Sequence, residues 1–130
     1  MDPIPKHADE RGFLIEFLRE DEQFLNFIGQ IYLATFRPGD VRGNHYHNHK
    51  TEVFTVVKGK MKFLLQHISG GEIREVVIDS NMETLDRIVV EPGYAHTFIN
   101  TGGEEAILLA WGDQTHDHSG PDQHHFVIQK

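Results

Sequence analysis

Two histidines one residue apart, His45 and His47, are followed by Glu52 in a stretch that opens at Gly39 and closes at Gly59. On an extended strand successive side chains leave opposite faces, so His45 and His47 point the same way and can converge on one centre. The polar residues 48–51 are enough to turn the chain, which is expected to bring Glu52 back on the neighbouring strand, facing both rings. Far downstream, Glu91-Pro92-Gly93-Tyr94-Ala95-His96 offers a tight turn and one more imidazole, with Asn100 four residues later. Three imidazoles and a carboxylate suit a divalent transition metal, zinc foremost, with iron, manganese or nickel as alternatives.

At 130 residues the chain is expected to form one domain spanning 1–130. A formal net charge of −8 argues against a nucleic-acid surface or an anionic membrane as partner. Any phosphate-bearing ligand must therefore meet locally placed arginines. Cysteine is absent, so neither disulfides nor thiolate ligands are available. The start, Met1-Asp2-Pro3-Ile4-Pro5-Lys6, lacks the apolar run of a signal peptide, and the expected location is cytoplasmic.

Along the chain, residues 9–17 predict a turn and then a first strand with Phe13, Ile15 and Phe17 inward. Phe24, Leu25 and Ile28 at helical intervals predict a short helical turn before Gly29. Strands are expected over 30–36, 52–57, 61–67, 73–78, 85–90, 97–100 and 106–111, with Met61, Phe63, Leu65 and His67 on one face. Ser69-Gly70-Gly71 and Thr101-Gly102-Gly103-Glu104 read as hairpin turns. Short strands with glycine-rich turns predict an all-β sandwich or barrel. Lys50 and His49 read as solvated turn residues. The His- and Asp-rich residues 114–125 are expected to form a loop bent at Gly120-Pro121, leading to a last strand over 126–128.

The spacing from Gly39 through His45, His47 and Glu52 to Gly59 resembles the first motif of the cupin superfamily. Gly93, His96 and Asn100 match part of the second; Asp86 stands at its usual opening glycine, and Glu91 where its proline usually falls, one residue before Pro92. The resemblance implies a single-domain jelly-roll barrel, with His45, His47, Glu52 and His96 as metal ligands. Asp9-Glu10-Arg11-Gly12-Phe13 through Glu16, and Arg42-Gly43-Asn44-His45-Tyr46, resemble the epimerases of dTDP-4-keto-6-deoxyhexoses. That likeness implies that Arg11, Phe13, Glu16 and Arg42 bind the nucleotide sugar and that His45 is the base. Nearly the whole chain resembles the C-terminal cupin domain of capsular-polysaccharide nucleotide-sugar reductases. The reductase domain that precedes the cupin in those proteins is missing from this sequence, so reduction is expected to need a separate partner. Homodimerisation is likewise implied by the family.

The implied chemistry is removal of the acidic hydrogen beside a ketone and return of a proton to the opposite face. Tyr46 and Tyr94 are the candidate proton donors. A histidine nitrogen that ligates a metal cannot also be a base, so His45 holds one role or the other. The expected function is epimerase or isomerase on a nucleotide-linked 4-keto-6-deoxy sugar in polysaccharide biosynthesis. The alternatives are an iron-dependent dioxygenase and a non-catalytic sugar- or metal-binding module. Arg11→Ala is expected to raise the KM for the nucleotide sugar strongly; an unchanged KM in steady-state assays removes that role.

Overall fold

The computed structural model describes residues 2–19, 29–114 and 122–128. Among the described residues twelve strands run in order: β1 (Asp2–Ile4), β2 (Lys6–Asp9), β3 (Gly12–Ile15), β4 (Gln30–Phe36), β5 (Val41–Tyr46), β6 (Glu52–Lys58), β7 (Lys60–His67), β8 (Arg74–Asp79), β9 (Leu85–Val90), β10 (Tyr94–Asn100), β11 (Ala106–Gly112) and β12 (His124–His125). They form two five-stranded sheets, β1-β9-β6-β11-β4 and β12-β5-β10-β7-β8, and a separate β2-β3 hairpin. From β4 onward the chain steps from one sheet to the other at every connection except the β7–β8 hairpin. This is the expected all-β jelly roll, with sheets that do not close into a continuous barrel. The helical turn expected near residues 20–28 and the bend at Gly120-Pro121 lie outside the described residues.

Period-two alternation builds the core. Met61, Phe63 and Leu65 on β7 meet Phe54 and Val56 on β6, Phe98 on β10 and Leu108 on β11 between the sheets. Burying each large side chain contributes about 1.5–3 kcal/mol, enough to fix which face of each strand turns inward. The alternation on β7 and the Ser69-Gly70-Gly71 hairpin stand as expected, with Gly70 and Gly71 both at positive φ.

Other expectations are corrected. Glu52 returns on the facing sheet, since β6 pairs with β9 and β11 and not with β5. Thr101-Gly102-Gly103-Glu104 is not a hairpin but a crossing between sheets. The buried Asn100 amide bends it, donating to Phe36 O at 3.0 Å and Glu104 O at 2.8 Å while its Oδ1 accepts from Gly102 N at 2.9 Å. Phe13 does not face the core. β3 pairs only with β2, leaving Phe13 40% exposed under the Lys6 ammonium, 4.4 Å from the ring centre. Of the three residues expected inward there, Ile15 alone packs against the main core. The last strand lies two residues earlier than expected, β12 pairing along β5, and Ile128 is buried beyond it.

One irregularity sets the register of the site. On β5, His45 lies opposite His96 and Gly43 opposite Thr97, so Asn44 is an extra residue, a β-bulge. Residues directly opposite in a ladder share a face. Without the bulge, the Gly43–Thr97 pairing would place His45 opposite Ala95 and turn it away from His96. Gly43 has φ +102, Asn44 has φ 56, and a Cβ on Gly43 would stand 2.6 Å from the His96 carbonyl oxygen. Gly43→Ala is therefore expected to lower the unfolding free energy in urea titrations by at least about 1–3 kcal/mol, from backbone strain alone.

Candidate metal centre

The ligand-type atoms of His45, His47, Glu52 and His96 all lie within 4.8 Å of one another. His45 and His96 are phased by the bulge, and His47 follows β5 directly. Glu52 opens β6 and meets them across the sandwich. The loop between His47 and Glu52 is anchored at nearly every step. His47 O accepts from Gly93 N, and the Asp122 carboxylate accepts from Asn48 N at 2.9 Å and His49 N at 2.7 Å. Thr51 exchanges bonds with Asp113 through both its N–H and its carbonyl. Despite the proline one position late, the second-motif turn closes, with Gly93 at φ +87 and Tyr94 N donating to Glu91 O.

Each imidazole is also oriented from behind. His47 Nδ1 bonds the Asp122 carbonyl, His96 Nδ1 lies 3.4 Å from Tyr94 O, and His45 hydrogen-bonds the backbone of Gly43. Nδ1–H groups held by carbonyls leave Nε2 as a bare lone pair, the arrangement found behind metal-ligating histidines. Glu52 Oε1 faces His47 Nε2 at 2.8 Å and His96 Nε2 at 3.6 Å. Apart from one another, these three buried atoms have no polar partner. Lone pairs facing a carboxylate oxygen at such distances need a proton or a cation between them, and the donor set fits a divalent ion. Beneath them Phe54 and Phe98 form a dry floor, the Phe98 ring stacked 5.2 Å from His96.

Metal-free, the charges divide unevenly. Burial alone would raise the Glu52 pKa, but the His47 hydrogen bond and the nearby imidazoles outweigh it and pull it below the usual carboxylate range. Burial opposes a charge on His47, yet the Glu52 hydrogen bond and charge prevail and its pKa is raised. His96 is lowered to about 4, burial being the largest cause, and His45 is lowered by burial and then by His47. The shifts of Glu52 and His47 thus favour charge on both partners of their contact, while those of His45 and His96 favour the neutral rings.

A cleft of about 270 Å³ opens over the cluster, lined by Tyr32, His45, His47, Lys50 and Glu52 with Gln30 and Gln123. Four of these, Gln30, Tyr32, Lys50 and Gln123, are not among the site residues the sequence singles out, and two of the four bear on the chemistry. Lys50, expected in solvent, is 8% exposed, because the anchored loop folds its stem against Gly112. Tyr32 turns its hydroxyl to Glu52 Oε2 at 3.4 Å, and its pKa is pushed far up by burial and then by the Glu52 charge. No local motif marks either residue; only the alternation along β4 places Tyr32 inward.

Neither tyrosine chosen from sequence enters this cleft. Tyr46 points to the other face of β5, packed with Phe126 and against the His124 ring. Tyr94 lines a different cleft, with Leu65, Arg74 and Glu91. Arg42 donates to Thr35 O at 3.0 Å with its guanidinium over the Phe36 ring. Arg11 is paired to Asp9 on the exposed hairpin, and Glu16 pairs with Arg19 in a cleft that shares no lining residue with that of the histidines. His49 is exposed, as expected, and His124 bonds Asp122 and Asn48 outside the cluster.

The family model of the polysaccharide biosynthesis C-terminal domain matches residues 7–124. The chain belongs to that family. A UDP-2-acetamido-2,6-beta-L-arabino-hexul-4-ose reductase of Pseudomonas aeruginosa is 33% identical over 119 residues, covering 92% of this chain and 30% of the reductase. The capsular polysaccharide assembling protein CapF of Staphylococcus aureus superposes with TM-score 0.73 at 27% identity, over 98% of this chain and 34% of CapF. A dTDP sugar isomerase of Desulfovibrio desulfuricans gives TM-score 0.83 at 20% identity, over 94% of this chain and 79% of the isomerase, a likeness of fold. The chain thus spans about a third of the length of the reductase and of CapF. Among the described residues no helix is long and apolar enough to cross a membrane.

Because a protonated His47 must shed its proton to ligate, zinc uptake is expected to release protons increasingly as the pH falls below the raised His47 pKa. Zinc affinity should fall about tenfold per pH unit below the raised His47 pKa. Indicator-dye titration against a chelator at several pH values measures both, and pH-independent affinity would remove His47 from the ligand set.

Proposed function

We propose that this chain is a metal-containing epimerase or isomerase acting on a nucleotide-linked 4-keto-6-deoxy sugar in polysaccharide biosynthesis. The observation that carries the reading is the buried His47, Glu52 and His96 group, with His45 beside it, opening into a cleft that also holds a buried lysine. The family's description supports polysaccharide biosynthesis, and the name of the reductase relative supports the substrate class.

A ketone acidifies the hydrogen on its neighbouring carbon, so epimerisation needs a base, a partner for the oxyanion and a proton return. An ion held by His45, His47, Glu52 and His96 would polarise the carbonyl oxygen. Lys50, fixed against Gly112, offers three N–H donors in the same cleft, so the developing oxyanion meets a preorganised charge. The Tyr32 hydroxyl stays protonated at neutral pH and is turned to Glu52 Oε2 beside the same cleft. Arg42 serves the nucleotide end. Arg11, Phe13 and Glu16 lie on the β2–β3 hairpin, and we assign them to a substrate bound across a homodimer, where the hairpin of one copy reaches the cleft of the other.

A second reading of His45 rests on its burial. It is the one member of the four that is not buried, and its depressed pKa leaves a neutral ring at pH 7. With three buried ligands and an open position, as in catalytic zinc sites, His45 would be free to act as the base. His45→Asn decides between the roles: lost metal in elemental analysis makes it a ligand, retained metal with lost proton exchange makes it the base.

The zinc-loaded protein, given UDP- and dTDP-linked 4-keto-6-deoxy sugars in deuterated water, is expected to incorporate deuterium beside the ketone, read by mass spectrometry. No incorporation with either sugar would overturn the epimerase reading. Lys50→Met is expected to cut kcat by about 100- to 1,000-fold, the usual loss for one oxyanion donor, with little change in KM.

A further inference from the structure

The inner face of β11 loses side-chain volume toward the site, running Leu108, Ala110, Gly112. Each of these lies opposite one residue on β4 and one on β6: Ala110 faces Tyr32 and Phe54, and Gly112 faces Gln30 and Glu52. Tyr32 and Glu52 are therefore on strands that do not touch, with β11 between them. At Gly112 the Lys50 stem packs where a Cβ would stand, and Ala110, between Tyr32 and Phe54, adds only a methyl group. Past that methyl group the Tyr32 hydroxyl lies 3.4 Å from Glu52 Oε2.

The two oxygens of Glu52 are thereby divided. Oε1 is turned to His47 Nε2 and His96 Nε2, while Oε2 is turned to a donor on the opposite side. A carboxylate with both oxygens free can close on an ion through both; one with an oxygen occupied presents a single ligand atom. We propose that Tyr32 is a positioning residue that confines Glu52 to one-oxygen contact with the bound ion, keeping a coordination position open toward the cleft. The assignment rests on the metal reading above and adds to it a determinant of coordination number. The carboxylate is also held from the rear as the histidines are, so every member of the cluster has its own orienting partner.

Cobalt-substituted full-length protein tests this without recourse to activity, because the intensity and position of cobalt absorption bands report coordination geometry. Tyr32→Phe removes the hydroxyl and keeps the ring. It is expected to shift the bands toward higher coordination number and to weaken metal affinity in chelator competition by about tenfold, the lower end for loss of an outer partner, in keeping with a long hydrogen bond. In a Glu52→Ala background, which removes the group that Tyr32 contacts, Tyr32→Phe should change neither readout, whereas a loss of general packing would persist there. Unchanged bands and affinity in a Tyr32→Phe protein whose parent binds cobalt would overturn the Tyr32 assignment alone. A parent that binds neither cobalt nor zinc would overturn it together with the metal reading.

Discussion

The Glu52 carboxylate is 2% exposed, on one sheet, and looks at imidazoles carried by the other. A buried charge is tolerated only where partners replace the water it has lost. Here the partners come from three separate segments, so the two sheets must hold a fixed separation and phase for the charge to be satisfied. The Glu52 contact favours a proton on His47, which would supply a counter-charge. A divalent ion would supply it better, reaching His96 as well, since that ring is too deeply buried to protonate near neutral pH. The dry floor of Phe54 and Phe98 keeps the local dielectric low and makes both the need for compensation and its strength larger.

Holding that phase takes backbone devices that run against local preference. The bulge at Gly43 and Asn44 stores left-handed conformations in the middle of a strand, and it is pinned where Thr97 Oγ1 donates to Asn44 Oδ1 at 2.8 Å and Phe126 N to Asn44 O. Asp122 then fastens the turn beyond His47 with its carboxylate and orients the ring with its carbonyl. A segment more than seventy residues downstream thus fixes the aim of the first motif. Strain on β5 and the clamp on its far side serve one end, the direction of two lone pairs.

These devices mark the boundary between what spacing discloses and what it does not. The convergence of His45, His47, Glu52 and His96 was legible because the same-face rule is local for the first pair, and because the cupin-like spacing implies the other two. Strand phase was legible on β7, where large apolar residues at every second position leave one way to bury them. Tyr32 was not, because its neighbour Glu52 lies two strands away in the same sheet and no local pattern names a partner at that distance. Tyr46 adjoins His45 in sequence and for that reason points to the opposite face. Lys50 sits in a polar turn, where composition says solvent, and only the Asp113 and Asp122 clamps turn that loop back over the cleft. The crossing at residues 101–104 has the glycines of a hairpin; what distinguishes it is Asn100 spending its amide on two carbonyls at the end of the sandwich.

The cleft has a simple origin in volume. Inside a sandwich every inward position must be filled, or the cavity costs stability in proportion to its size. Along β11 the sequence fills the middle with Leu108 and then withdraws, leaving Ala110 and Gly112 at the site end. The space so vacated is occupied by polar groups arriving from elsewhere: the Tyr32 phenol across Ala110, and the Lys50 stem against Gly112. Those side chains bury their apolar parts in the gap and bring their polar ends together beside Glu52. The same substitution of small for large that would be a defect in the centre of the core becomes, at its edge, the means of gathering a phenol, an ammonium and a carboxylate around one opening.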